Sequence, residues 1–387
     1  MKAHIKNLLL VLSLLAVSHQ AAAQNWTLTS AASTNWQAIA VSSNGTKLAA
    51  VVSGSGIYTS SDSGNTWAQT SASNAYWSAI ASSSDGTKLA ATVSAGGIYT
   101  STNSGASWTQ SNATNSLWDS IASSADGTKL VAQSYVDGNL PYGIYISTNS
   151  GVTWTQNVQD FGSSGAVASS ADGTTLIDAR YAFYVYVSTD SGANWGVGSG
   201  INGAWSSIAC SADGTKLVVA EVNFSPYHYV GSIYTSTNSG ANWTLSSAPT
   251  NVNWASVASS SDGSTLAAAV GGGGLWTSTN SGASWIQQVG APNASWSAIA
   301  SSSDATKLFA AVNGGGIYTW QASPRLSIAS VGVQSVLFWA ATGTNYVLQS
   351  TTNLAAPNWM TVSNGTPIIG VTVPNTSPAA FFRLQTQ

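Results

Sequence analysis

Seven turn dipeptides about forty residues apart, two recurring tryptophan series and the absence of helical periodicity predict an all-β chain: a seven-bladed β-propeller. An N-terminal strand closes its last blade, and a small C-terminal β-sandwich-like domain follows. The turns are Asn44-Gly45, Asp-Gly at 85, 126, 172, 213 and 262, and Asp304-Ala305. One tryptophan series stands at 67, 108, 154, 195, 243 and 285, the other at 36, 77, 118, 205, 254 and 296. A period of this length with several short strands per unit belongs to propellers or solenoids.

Residues 77–110 show one unit. Trp77-Ser78-Ala79-Ile80-Ala81 is a short apolar strand, and Asp85-Gly86 is a hairpin turn whose residues tolerate positive φ. Lys88 to Val93 forms a second strand, Ala95-Gly96-Gly97 turns again, and Ile98-Tyr99-Thr100 forms a third. The octapeptide Ser101 to Trp108 turns the chain once more, and Trp108-Thr109-Gln110 opens a fourth. Four strands match a propeller blade. The seventh unit, Trp296 to Trp320, lacks the octapeptide and so its fourth strand. Trp26 precedes Trp36 as Trp67 precedes Trp77, so residues 25–29 are expected to supply the missing outer strand. The ring then closes without open sheet edges.

The flanks differ in composition. Lys2 and Lys6, the apolar run Leu8 to Val17 and Ala21-Ala22-Ala23 read as a signal peptide over residues 1–23. That predicts a secreted, periplasmic or cell-surface protein. No later run is long and apolar enough for a transmembrane segment. The propeller is assigned to residues 24–320, a linker to 321–325 and the small β domain to 326–387. Strand-like runs in the last are Leu326–Val331, Ser335–Trp339, Tyr346–Gln349, Ile368–Val373 and Phe381–Leu384. With 6% charged residues and a formal net charge of −3, the chain offers no basic surface for nucleic acid. Its single cysteine, Cys210, precludes an intramolecular disulfide and is read as a core residue. Cysteine and histidine are too few for a conventional zinc site, no cofactor is expected, and the chain is expected to be a monomer.

The octapeptide recurs six times: SSDSGNTW at 60–67, STNSGASW at 101–108 and 278–285, STNSGVTW at 147–154, STDSGANW at 188–195 and STNSGANW at 236–243. The pattern Ser-x-(Asp/Asn)-x-Gly-x-x-Trp resembles the Asp-box, or BNR repeat. That repeat is found in sialidases, sortilin-type receptors, some glycoside hydrolases and seven-bladed photosystem II assembly factors. The resemblance covers six copies and, by period, residues 24–320; it implies the fold and leaves the activity open. The residues themselves read as a folding device. Asp62, Asn103, Asn149, Asp190, Asn238 and Asn280 accept backbone N–H bonds within a tight turn. Gly64, Gly105, Gly151, Gly192, Gly240 and Gly282 supply its positive-φ position. Trp67, Trp108, Trp154, Trp195, Trp243 and Trp285 wedge beside the hairpin, each burial contributing roughly 4–6 kcal/mol as an upper bound. Four copies carry Asn where a cation would want charge, so no metal is expected. The Asp-Gly-Thr-Lys turns, with Lys at 47, 88, 129, 216 and 307, read as turn chemistry plus solubility. Val-Leu-Gln-Ser-Thr-Thr-Asn-Leu at 347–354 resembles a C-terminal module of exported proteins of planctomycete- and verrucomicrobia-type bacteria.

In a repeat protein the departures are the informative positions. Most blades join their second and third strands through a minimal glycine-rich loop, but three consecutive blades do not. Blade three inserts residues 135–142, with Tyr135, Asp137 and Tyr142; blade four has Asp178, Arg180 and Tyr181; blade five has Glu221, Phe224, Tyr227, His228 and Tyr229. These stretches are expected to meet on one sector of one face as a ligand-binding site, with Arg180 and Glu221 at equivalent positions. Aromatics with a few polar groups suit a glycan, and Tyr and Arg equally suit a protein. The leading expectation is therefore an exported, non-catalytic protein that binds a polysaccharide or a surface protein. The alternatives are a polysaccharide hydrolase or lyase at the same face and a purely structural surface protein. The three arginines of a sialidase are absent, and no catalytic residue is assigned; Asp137, Asp178 and Glu221 are the candidate carboxylates, and His228 with its tyrosines the candidate lyase set.

Overall fold

The computed structural model describes residues 25–135, 143–157, 164–224 and 229–322, and then 327–331, 334–338, 346–351, 358, 360–363, 371–374 and 381–386. The expected signal peptide and the candidate residues Asp137, Tyr142, Tyr227 and His228 lie outside the described residues. All described regular structure is β-strand, paired antiparallel.

Each regular unit is a four-stranded meander. In the second, Ala75–Ser82 pairs with Leu89–Gly96, that strand with Ile98–Ser101, and that in turn with Thr109–Gln110. A bulge follows the innermost tryptophan, between Trp77 and Ala79, and recurs between Trp36 and Ala38 and between Trp296 and Ala298. The inner strands are rich in Ala, Val and Ile, small or β-branched residues that let neighbouring sheets stack closely. Trp36 is fully buried among Leu48, Ala50, Val52, Phe309 and Ala311, joining the first unit to the seventh. It meets Tyr58 edge-on at 5.3 Å, as Trp77 meets Tyr99.

The octapeptide is a turn held by its own side chains. Asp62 Oδ1 accepts the Thr66 N–H at 2.9 Å, and Ser60 Oγ accepts the Gly64 N–H at 2.9 Å. The Asn copies make the same bonds: Ser107 N–H donates to Asn103 Oδ1 at 2.9 Å. Asp and Asn are therefore interchangeable oxygen acceptors, which accounts for their free exchange. Two successive residues adopt positive φ, Ser63 at 60° and Gly64 at 88°, and the serine does so in all six copies. A Cβ on Gly64 would also stand 3.2 Å from Thr29 Cγ2.

Two devices join the units into a cycle. The N–H of Ser43 donates to the carbonyl of Ser84, Ser84 to Ala125, Ala125 to Ala171, Ala171 to Ala212, Ala212 to Ser261, Ser261 to Ser303, and Ser303 back to Ser43, all at 2.7–2.8 Å. The N-terminal segment supplies an edge of the last unit, with Thr27 opposite Thr319 and Leu28 opposite Tyr318. The lysines do more than keep the turns soluble. Lys307 Nζ reaches Ser63 Oγ at 3.0 Å, Lys47 reaches Ser104 at 3.2 Å and Lys129 reaches Ser191 at 3.2 Å, each an octapeptide serine of the next unit.

Beyond residue 322 two three-stranded arrangements are described. Gln334–Phe338 lies between Ser327–Val331 and Val371–Pro374, and Tyr346–Thr351 between Met360–Ser363 and Phe381–Thr386. The strand Met360–Ser363 has no counterpart in the sequence reading.

Candidate functional site

The second strand of every unit carries one residue opposite the start of the innermost strand. Trp36 faces Val52, Trp77 Val93, Trp254 Val270 and Trp296 Val312. In the three irregular units the same register brings Trp118 opposite Ser134, Gly165 opposite Arg180 and Trp205 opposite Glu221. Three adjacent units thus have polar or ionisable groups where the others have a valine. The fourth unit also lacks the innermost tryptophan: Ser164 stands immediately before Gly165, where the others have Trp.

Arg180 and Asp178 were expected on the ligand face, and the structure corrects this. Both side chains are wholly buried, and Arg180 Nε donates to Asp178 Oδ2 at 2.5 Å. The reason is strand alternation: Leu176, Asp178 and Arg180 share the inward face that Leu48, Ala50 and Val52 occupy in the first unit. Asp178 Oδ1 has no hydrogen-bond partner among the described residues. Burial pushes the Asp178 carboxyl above its ordinary pKa, and the adjacent guanidinium pulls it partly back. Tyr186, almost buried, sits close enough that the same pair perturbs its hydroxyl. Residues 178–184, expected as a loop, are extended backbone within Leu176–Ser188; they contain no glycine to turn on.

Glu221 is also interior, only 4% exposed. It shares the face of Leu217 and Val219, which pack on Ile177 and Ala179 of the preceding unit. Arg180 and Glu221 are equivalent by register and stand on strands of successive units. A Cβ on Gly203 would fall 2.7 Å from Glu221 Oε1, so the glycine makes room for the carboxylate. Glu221 Oε2 and the nearby Ser232 Oγ are buried without partners among the described residues. Burial raises the Glu221 carboxyl to about 7, against the opposing pull of the Ser232 and Ala204 N–H groups.

Of the other candidates, Tyr135 ends its strand opposite Leu117 and is half-buried, and Tyr181 lies opposite Ala204, also half-buried. Phe224 pairs with Tyr229 in the short hairpin Asn223–Phe224 and Tyr229–Val230. Cys210 donates to the Ser169 carbonyl at 3.2 Å and burial pushes its thiol up to about 12, but it is partly exposed and packs at the margin of a core cluster rather than within it. Among the described residues no group of three or more metal-ligating side chains occurs.

A feature the sequence reading missed lies on the axis. The innermost strands enclose a cavity of about 450 Å³. Immediately after the innermost tryptophan, or its serine replacement, the units place Gln37, Ser78, Asp119, Gly165, Ser206, Ala255 and Ser297 around it. Asp119 is the one charged side chain among the lining residues. It accepts the Gly165 N–H at 3.0 Å, and burial raises its pKa. Around the cavity the inner strands are bridged through serine hydroxyls, as when Val167 N–H donates to Ser120 Oγ at 3.1 Å.

No family model matches the sequence, and no curated protein does. Solved structures do match. A xyloglucanase of family GH74 from Xanthomonas campestris superimposes with a TM-score of 0.60 at 15% identity, over 81% of this chain and 59% of that one. The Niastella koreensis GH74 enzyme gives 0.60 at 16%, over 82% and 60%. YCF48 bound to a D1 peptide gives 0.57 at 14%, over 77% of this chain and 96% of that one. The likeness is one of fold: a β-propeller. The chain spans about six-tenths of the length of the xyloglucanases. No described helix is long and apolar enough to cross a membrane.

Proposed function

We propose that the chain is an exported, non-catalytic binding protein. Residues 24–320 form a seven-bladed propeller of Asp-box units, preceded by a signal peptide and followed by a small β domain. Its ligand is a polysaccharide or a protein segment, held by the face above units three to five. One observation carries the reading: Ser134, Arg180 and Glu221 stand where the other units have a valine, in three adjacent units and next in sequence to the three departures from the minimal loop. Buried polar groups cost stability. Their confinement to one sector is accounted for if they set the shape of the loops above, where Tyr135 and Tyr181 remain partly accessible.

The hydrolase reading is less well supported. Glycoside hydrolysis needs two carboxylates flanking one open site. Asp178 is sealed against Arg180, and Glu221 stands on a strand of the next unit. Full-length YCF48-like likeness, with a peptide bound in that structure, favours binding, and the xyloglucanase likeness keeps polysaccharide among the ligands.

The test is an array printed with plant and bacterial polysaccharides and with peptides. Wild-type protein should bind a defined subset, and Tyr135→Ala with Tyr181→Ala should weaken that binding at least tenfold without changing the fold. Undiminished binding by the double variant overturns the location. Release of reducing ends from any bound polysaccharide overturns the non-catalytic assignment.

A further inference from the structure

The axial cavity is lined by one carboxylate and by several serine and amide oxygens that accept hydrogen bonds. A serine hydroxyl carries one proton. Ser206 spends its proton on the Trp254 carbonyl at 2.6 Å, and Ser297 on the Ala311 carbonyl at 3.2 Å. Toward the lumen each therefore presents lone pairs only. Ser78 Oγ shares a proton with Thr92 Oγ1 across 2.9 Å. The Asp119 carboxylate accepts one backbone N–H from Gly165 and has acceptor capacity left over. Gln37 adds an amide oxygen along with its N–H donors, and Ser120, Ser207 and Ser256, which accept the Val167, Val257 and Ile299 N–H groups, keep their hydroxyl protons. No lysine, arginine or histidine is among the lining residues, so the carboxylate has no counter-charge there.

A cavity with one carboxylate, neighbouring oxygen acceptors and no cationic side chain among its described lining residues is complementary to a cation that carries its own donors. We propose that the channel binds a primary ammonium group, with Asp119 as its counter-ion and Ser206, Ser297 and Gln37 as acceptors for its remaining N–H bonds. An ammonium has three donors, which this set can receive. A divalent metal ion is a poorer match, because it wants several carboxylate or carbonyl oxygens at once. The volume of about 450 Å³ accommodates more than a bare ammonium head, so either a small amine or a partner's lysine side chain could supply the group. The site is lined by innermost-strand residues, at the end of the strands where Trp118 faces Ser134 and Gly165 faces Arg180, and is distinct from Tyr135 and Tyr181, which do not line it.

Isothermal titration of the full chain at neutral pH and low salt tests this. The amine probes are n-butylamine, glucosamine and a pentapeptide with one lysine; n-butanol, glucose and the acetyl-lysine peptide are their neutral counterparts. Asp119→Asn keeps an oxygen to accept the Gly165 N–H, and its melting temperature verifies that it folds. At least one amine should bind saturably, its neutral counterpart should not, and Asp119→Asn should weaken binding at least about tenfold. Binding of butylamine or glucosamine identifies a free amine as the source; binding of the peptide alone identifies a lysine side chain. No binding of any amine up to about 10 mM, or equal binding by Asp119→Asn, overturns the proposal.

Discussion

Units one, two, six and seven place a valine opposite the innermost tryptophan, buried in all but the second, where Val93 is partly buried; units three, four and five bury Ser134, Arg180 and Glu221 in the same register. The strand pairing is common to both groups, so backbone geometry does not demand the difference. The energetics diverge. Val52 and Trp36 gain from burial, whereas Asp178, Ser134 and Glu221 each bury an oxygen without a partner among the described residues. Such a group typically costs about 1–3 kcal/mol, and more if ionised. The regular units therefore build the ring, and the irregular ones carry a polar interior that ring-building does not require.

The comparison breaks first at Arg180. Arg180→Met strands the Asp178 carboxylate in the interior and should cost about 3–5 kcal/mol in urea unfolding. Restoring the regular pattern with Ser164→Trp, Asp178→Ala and Arg180→Val together should recover that loss. A loss under about 1 kcal/mol for Arg180→Met would show that the sector is not held by this pair.

Glu221 comes next. Its carboxyl titrates at about 7 in the fold against an ordinary value of 4.5. The folded state therefore binds the proton more tightly, and stability falls as pH rises from about 4.5 through about 7, then levels off. Glu221→Gln should flatten that slope by at most about 3 kcal/mol, leaving the part that Asp178 and Asp119, also raised by burial, contribute with the same sign. The turn aspartates have the opposite sign. Hydroxyl and N–H donors hold Asp85, Asp126, Asp172 and Asp262 near 2. Their contribution is present above 3.8 and lost as pH falls toward 2. Because they are exposed, each loss should be small, and the acid limb should be shallow in Asp85→Asn.

The smallest effect belongs to the octapeptide. Asn103→Asp keeps the oxygen that receives the Ser107 N–H and should change stability by no more than about 0.5 kcal/mol. A larger change would mean that the side-chain amide, which donates to Ser107 Oγ at 2.8 Å, matters as well.

What could be read from the sequence follows from repetition. The strand order within a unit and the pairing of residues 27–28 with 318–319 were legible because landmarks recur at fixed distances. The position of the irregular sector was legible as a break in those landmarks, but the direction of its side chains was misread. The parity was available: 176, 178 and 180 step in phase with the buried 48, 50 and 52. Asp119 went unnoticed because one carboxylate in a strand looks ordinary; comparison with Gln37, Ser78, Ser206, Ala255 and Ser297 marks it as the charged member of its ring. The bonds from Lys47 to Ser104 and from Lys307 to Ser63 cross between units, and no single unit contains both partners.

The central claim is that units three to five hold the ligand. A loop exchange tests it most directly: residues 136–142 and 225–228 are replaced by the short turn Ser94-Ala95-Gly96 of the second unit, and binding is read on the polysaccharide and peptide array. The account predicts loss of the bound subset with a melting temperature within a few degrees of wild type. Retained binding by the exchanged protein would contradict it.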